Sequence, residues 1–198
     1  MYKTFSAIEL KGDVLDLGGT KDASYHALFS GSKKFTTANI AGERDIDCNL
    51  EEKFPIKDAT YDTAILINLL EHIYHAGGAV KETFRVLRPG GLIVIAVPFL
   101  IQIHPCPRDH WRFTGETLKM LLADAGFGNI KIEEVGSGPF SACAQLLHNV
   151  LHFDILRALS VLIARGLDAL IHKFDHKGSY GVSRYPLAYV VTATKATL

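Results

Sequence analysis

The sequence predicts an α/β fold built on a mostly parallel sheet. Short apolar runs at Val14 to Leu17, Thr63 to Asn68 (TAILIN) and Leu92 to Val97 (LIVIAV) lack the polar alternation of half-exposed strands. They read as strands buried on both faces. Stretches with helical spacing of apolar residues separate them, as at Val80, Phe84 and Leu87. The first run ends in Asp16-Leu17-Gly18-Gly19-Thr20, where glycine lets the backbone turn sharply as a ligand or the next element approaches. Small molecules bind beyond the carboxyl ends of the strands in open parallel sheets, so this turn marks the expected site.

Each element follows from local pattern. Residues 1 to 12 read as one helical turn leading into a strand at Asp13 to Leu17. Ala23 to Ser30 is expected as a short helix stopped by Gly31, Lys34 to Asn39 as a second strand and Asp45 to Asn49 as a third. Only Ile40 to Arg44 lies between the last two, too little for a crossover helix, so this edge of the sheet is abbreviated. Glu51 to Asp62 is a loop containing Pro55, and Thr63 to Asn68 is a central strand. Leu69 to Tyr74 follows as a loop or short helix, and Gly77 to Leu87 as a helix stopped at Arg88-Pro89-Gly90-Gly91. After the LIVIAV strand comes a long loop, Phe99 to Thr114, and loops of that length are usually functional or mobile. Thr114 caps a helix that runs to Ala125 and is closed by Gly126. Ile130 to Val135 and Tyr185 to Thr194 are the last strands. Between them Pro139 to Phe174 is helical in pattern, two helices broken near His152 to Asp154, an insert into an otherwise regular alternation.

Composition bounds the function. The 198 residues, 48% hydrophobic, suit a single domain spanning residues 1 to 198. Lys plus Arg (21) balances Asp plus Glu (21), so no basic field points to nucleic acid. Cys48, Cys106 and Cys143 are an odd count at wide spacing, which fits a reducing, cytoplasmic setting better than a disulfide framework. The early polar residues Lys3, Glu9, Lys11 and Asp13 argue against a secretory signal. No uncharged apolar run reaches the roughly 20 residues that span a bilayer, so a soluble or membrane-peripheral protein is expected.

Taken in order, VLDLGGT, the segment from Pro55-Ile56 to Tyr61-Asp62, NLLEHI, FRVLRPGGLIVIAVPF and LLADAGF resemble the successive motifs of class I S-adenosylmethionine-dependent methyltransferases. The resemblance covers residues 13 to 135. The loop HPCPRDHWRFT resembles a methyltransferase-11-type subgroup associated with bacterial cell-surface glycan synthesis. The family implies a Rossmann-like, seven-stranded sheet of order 3-2-1-4-5-7-6 with its last strand antiparallel, and S-adenosylmethionine as cofactor. Carried onto this chain, it puts Asp16, Gly18 and Gly19 in the cofactor loop and Asn39 where an acid usually grips the ribose hydroxyls. Asn49 falls near the acid that meets the adenine, and Asn68 beside the methionyl part and the reacting methyl. An acid restored at Asn39 is expected to tighten donor binding. Thr20 and Asp22 stand where the family has further glycines, and the competing reading is a non-catalytic binding or scaffold protein that keeps the fold.

For the acceptor, the implied enzyme would draw on His104, Asp109 and His110, which follow a central strand and include a general base if the acceptor is a hydroxyl. As metal ligands these residues have poor spacing and no fourth group, so no metal is expected. Glu71-His72 reads as scaffold ahead of a catalytic pair. Trp111 and Phe113 line the acceptor pocket or plug the core, and Arg112 meets a substrate anion or Asp109. The expected partner is a small-molecule or lipid-linked acceptor. The insert, 139 to 174, is read as a lid with one face of each helix buried, with a homodimer interface and a peripheral membrane contact as alternatives. Arg157, Arg165, His172, Lys173, His176 and Lys177 favour a membrane surface, while Asp154, Asp168 and Asp175 oppose it.

Overall fold

The computed structural model describes residues 2–32, 34–148, 150–175, 181 and 183–197. In chain order the elements are α1 (Tyr2–Phe5), β1 (Glu9–Leu10), β2 (Val14–Leu17), a 3-10 turn at Ser24–Leu28, β3 (Ser30–Gly31), β4 (Phe35–Asn39) and β5 (Ile46–Asp47). There follow β6 (Tyr61–Ile67), a 3-10 turn at Leu70–His72, α2 (Ala76–Val86), β7 (Leu87–Pro98), α3 (Gly115–Ala125) and β8 (Phe127–Val135). The insert supplies α4 (Pro139–Leu147) and α5 (Asp154–Phe174), and β9 (Ala188–Lys195) closes the fold.

Seven strands form one sheet in the order β5-β4-β2-β6-β7-β9-β8, which is the expected 3-2-1-4-5-7-6 topology. β9 alone runs antiparallel to its neighbours β7 and β8. Apart from Asp16 in β2 and Asp62-Thr63 at the start of β6, the residues of β2 and β6 are apolar, because successive side chains face opposite sides and both sides are covered. On one face Leu15, Leu17, Ala64, Leu66, Ile93 and Ile95 pack in a cluster with Val80 of α2 and Leu118 and Leu122 of α3. On the other Val14, Ile65, Val94 and Ala96 pack with Phe5, Leu10 and Phe29. Thr114 caps α3 by accepting from the Thr117 N–H, and Gly126 ends it in the left-handed conformation, as its sequence requires.

The expected helix at Ala23 to Ser30 is instead a five-residue 3-10 turn. Its Tyr25 and His26 both reach back to the Asp16 carboxylate, and the chain must already be extended at Ser30 to pair with Glu9. The abbreviated edge is borne out: β5 has only two residues and no helix separates it from β4. β7 begins at Leu87 instead of Leu92, because Leu87 pairs with Tyr61 across an irregularity before the regular ladder starts at Thr63. β8 begins at Phe127 instead of Ile130, its register with β9 shifting between Gly128 and Lys131, where Asn129 takes a positive φ of 50°.

The insert departs most from expectation. Its two helices are locked to each other: Asp168 of α5, 1% exposed, accepts the N–H groups of Phe140 and Ser141 in the first turn of α4 at 2.9 and 3.0 Å. The apolar side of α5 faces outward, with Ile155 80% and Leu162 70% exposed. The helices are thus partnered through small residues, Ala142, Ala144 and Ala164, while their large apolar residues are left uncovered. Asp168 is spent inside the hairpin and does not add to its surface charge, whereas His176 and Lys177 lie outside the described residues. No helix among the described residues is long and apolar enough to cross a membrane.

Candidate active site

The carboxyl ends of β2, β4 and β6 build the first half of the site. Gly18 turns the chain with φ 82°, and its N–H donates to the Ala38 carbonyl at 2.8 Å, tying the turn to β4. Asp16 is fully buried, and its Oδ2 accepts the Tyr25 hydroxyl at 2.8 Å and lies 2.6 Å from His26 Nε2. Burial pushes the Asp16 carboxyl above its ordinary range against the pull of the His26 and Tyr25 hydrogen bonds. Burial also raises the Tyr25 phenol, with the Asp16 charge adding to it. A Cβ on Gly19 would stand 1.9 Å from Asp16 Oδ2 and 2.5 Å from the Tyr25 oxygen, so glycine is what lets this carboxylate and the turn coexist. A Cβ on Gly18 would meet Leu69 Cδ1 at 2.5 Å, so a side chain there strikes the protein itself.

Asn39 holds the turn. Its amide donates to the Gly18 carbonyl at 2.7 Å and to that of Gly19 at 3.4 Å, and its Oδ1 accepts the Ile40 N–H. A carboxylate here would face two carbonyl oxygens, which replaces the expected gain from an acid with a repulsion. Asn49 is exposed just past β5 and closes a local turn with Glu51 and Glu52. Asn68, just past β6, is exposed and takes a positive φ of 50°, a conformation that Asn tolerates better than most residues. Thr20 and Asp22 hydrogen-bond each other at 2.7 Å.

The loop after β7 builds the second half. Asp109 is clamped by Arg112 in a two-pronged pair at 2.5 and 2.7 Å and also accepts the His104 N–H at 2.9 Å. The guanidinium holds its carboxyl well below the usual carboxylate range, so Asp109 organises the loop and is a poor proton acceptor. Of the two readings of Arg112, the pairing with Asp109 is the one present. The His110 and Trp111 N–H groups donate to the Glu71 carbonyl at 2.8 and 3.2 Å, and the Trp111 indole donates to the Ile73 carbonyl at 3.0 Å. These bonds pin the loop onto the 3-10 turn that follows β6. Phe113 is buried in the core, whereas Trp111 is 41% exposed. Phe99, Ile103, His110, Trp111 and, from α4, Leu146 line a cleft of about 400 Å³ beside this loop.

Sequence reasoning set Glu71-His72 down as scaffold ahead of a catalytic pair, and the structure gives Glu71 an environment that pattern alone did not signal. Its carboxylate is fully buried, neither oxygen has a hydrogen-bond partner in another residue, and burial pushes it up to about 7 against the pull of its own backbone N–H. His72 Nε2 stands 3.6 Å and His104 Nε2 3.9 Å from Glu71 Oε1. The available signal was an acid-histidine pair immediately after a central strand, at the edge where parallel sheets bind ligands.

This sheet order, with its reversed last strand and its polar groups gathered at the carboxyl edge, is the class I methyltransferase fold. Residues 21–95 match the family model described as a methyltransferase domain. A Mycobacterium tuberculosis protein named as a probable S-adenosylmethionine-dependent methyltransferase is 30% identical over 124 residues, 58% of this chain and 44% of that protein. The chain thus spans less than half the length of that relative. A solved S-adenosylmethionine-dependent methyltransferase from Archaeoglobus fulgidus superposes with a TM-score of 0.60 at 16% identity, over 96% of this chain and 88% of that one. A Haemonchus contortus phosphoethanolamine N-methyltransferase, solved with S-adenosylmethionine, gives a TM-score of 0.60 at 12% identity, over 98% of this chain and 51% of that one. At these identities the structural likenesses bear on the fold.

Proposed function

We propose that the chain transfers a methyl group from S-adenosylmethionine to an acceptor seated in the cleft beside the loop after β7. When bound, the cofactor supplies an electrophilic methyl on a sulfonium, and the protein's task is chiefly to hold and align the reactants. The turn at Asp16 to Gly19, with Asn39, Asn49 and Asn68, would hold the donor. The observation that carries this is Asp16 Oδ1, buried without a partner beside the glycine turn, a ready acceptor for a cationic or hydrogen-donating group. His110, exposed in the cleft, is the residue we assign to take the acceptor's proton. The scaffold reading has no observation in its favour.

The apolar lining of the cleft and the outward-facing side of α5 support a lipid-linked or glycan-lipid acceptor met at a membrane surface. Co-sedimentation with liposomes, compared between the unaltered chain and one with Leu159, Ile163 and Leu167 changed to Ser, tests that part. Retention of the first alone supports it, and equal failure to sediment discards it. Calorimetric titration with S-adenosylmethionine and S-adenosylhomocysteine tests the donor site. We expect saturable binding of one ligand per chain, and an absence of heat with both would overturn the reading.

A further inference from the structure

We propose that Glu71, His72 and His104 form a binding site for a first-row divalent metal ion, of which zinc suits the donor set best. One ligand atom from each residue, a carboxylate oxygen and two imidazole nitrogens, lies within 4.8 Å of the others. The Nε2 atoms of His72 and His104, at 3.6 and 3.9 Å from Glu71 Oε1, are too far for hydrogen bonds. They are close to the spacing of neighbouring ligands around a tetrahedral ion with bonds of about 2.0–2.2 Å, which is roughly 3.3–3.6 Å. Contraction by a few tenths of an ångström would close the set.

Two further observations point to a cation instead of an ordinary polar cluster. The Glu71 carboxylate is completely buried with both oxygens unpartnered, although such a group normally collects donors. Each histidine is also turned the way a ligand is turned. His72 Nδ1 lies 2.5 Å from the Arg108 carbonyl and His104 Nδ1 lies 3.1 Å from the Gln102 carbonyl. A carbonyl only accepts, so the Nδ1 beside it is the donor, which leaves Nε2 of each ring, on the side of Glu71 Oε1, as the atom that can bind an ion. The Asp109–Arg112 clamp holds the backbone of His104 in place behind it. Two imidazoles and one carboxylate are a donor set zinc accepts while keeping a fourth position for water or substrate. The His104 side chain is 31% exposed, which leaves that position an approach from solvent.

The role of the ion rests on the proposed methyl transfer, whereas the site does not. An acceptor hydroxyl bound at the fourth position would be acidified, and His110 or water would take its proton. The acceptor oxygen then bonds to the methyl carbon as the carbon–sulfur bond breaks, its electron pair staying on sulfur. The products are the methyl ether, the neutral thioether and one proton. In this arrangement His104 is a ligand and His110 the base.

The test uses full-length protein stripped with a chelator and titrated with zinc, without S-adenosylmethionine. One ion per chain is expected, with affinity falling on the order of 10-fold or more in Glu71→Gln and in His104→Ala. Circular dichroism of each variant checks folding, and cobalt(II) loading of the unaltered protein gives a variant-independent readout through its ligand-field absorption. A cobalt spectrum of a low-symmetry, imidazole-containing site supports the proposal. Failure of the stripped, folded protein to bind either ion overturns it, as does undiminished affinity in both variants. Because cofactor titration is a separate measurement, loss of metal binding and loss of donor binding are read independently.

Discussion

The turn after β2 and the 3-10 turn after β6 sit at the same edge of the sheet and treat a buried carboxylate in opposite ways. Asp16 has Tyr25 and His26 on one oxygen, and its turn is laced to β4 through Asn39. Glu71 is equally buried and has no side-chain partner on either oxygen, although the backbone around it is held firmly by His110 and Trp111. The first region is complete on one oxygen and leaves only Asp16 Oδ1 open. The second is rigid in its frame and incomplete in its centre, which is what a site awaiting a positively charged or hydrogen-donating ligand requires.

That contrast can be broken or sharpened by substitution. Arg112→Ala should have the largest effect, because Asp109, with a side chain only 2% exposed, loses the partner that holds the loop over Glu71. Stranding a buried charge costs about 3–5 kcal/mol, and the partial exposure of Arg112 places the expected loss near the lower end. Urea unfolding reads it, and Arg112→Ala/Asp109→Ala should recover part of the loss. A double variant as unstable as the sum of the singles would show that the pair does not frame the site.

Gly19→Ala attacks the other region. The new Cβ cannot coexist with the present positions of Asp16 Oδ2 and the Tyr25 hydroxyl, so their hydrogen bond must open. A cost of about 1–3 kcal/mol in stability is expected from overpacking, with weakened binding of S-adenosylhomocysteine. Unchanged stability and affinity would detach the Asp16 network from the donor site. Asn39→Asp is a smaller change of the same kind. It removes the amide bond to the Gly18 carbonyl and puts charge beside two carbonyls, for a loss of about 1 kcal/mol. Tighter donor binding in this variant would mean that ligand contacts outweigh the turn.

The smallest effect is in pH dependence. Asp16 is raised by burial, so the folded chain holds a proton there over a range in which the unfolded chain has released it. Its contribution is greatest below the ordinary aspartate range and declines as pH rises through the folded value. Asp16→Asn should flatten that part of the stability profile, and an unaltered slope would place its origin elsewhere.

These regions also differ in how far they could be read from sequence. The strands were legible because apolar runs alternate with helical spacing and the turn glycines fall at strand ends, and their order because the successive motifs resemble a family with that order. The glycine turn after β2 was legible for the same reason as the strands, since its residues lie within or just beyond a strand. Glu71 was not, because its burial depends on the loop after β7 folding back onto residues 71 to 74, and local pattern does not encode contact between distant segments. The Asp109–Arg112 pair was legible only as one of two readings, since Arg112 suits a substrate anion equally well. The insert misled for a related reason: helical apolar spacing implies a covered face, but here alanines and the buried Asp168 join the two helices and leave the leucines and isoleucines outward.

The account stands most directly on where the cofactor lies. A crystal structure with S-adenosylhomocysteine should show its amino-acid end at the turn from Asp16 to Gly19 and its sulfur past Asn68, facing the cleft that His110 and Trp111 line. A ligand bound away from the carboxyl ends of β2 and β6, or with its sulfur turned from that cleft, would contradict it.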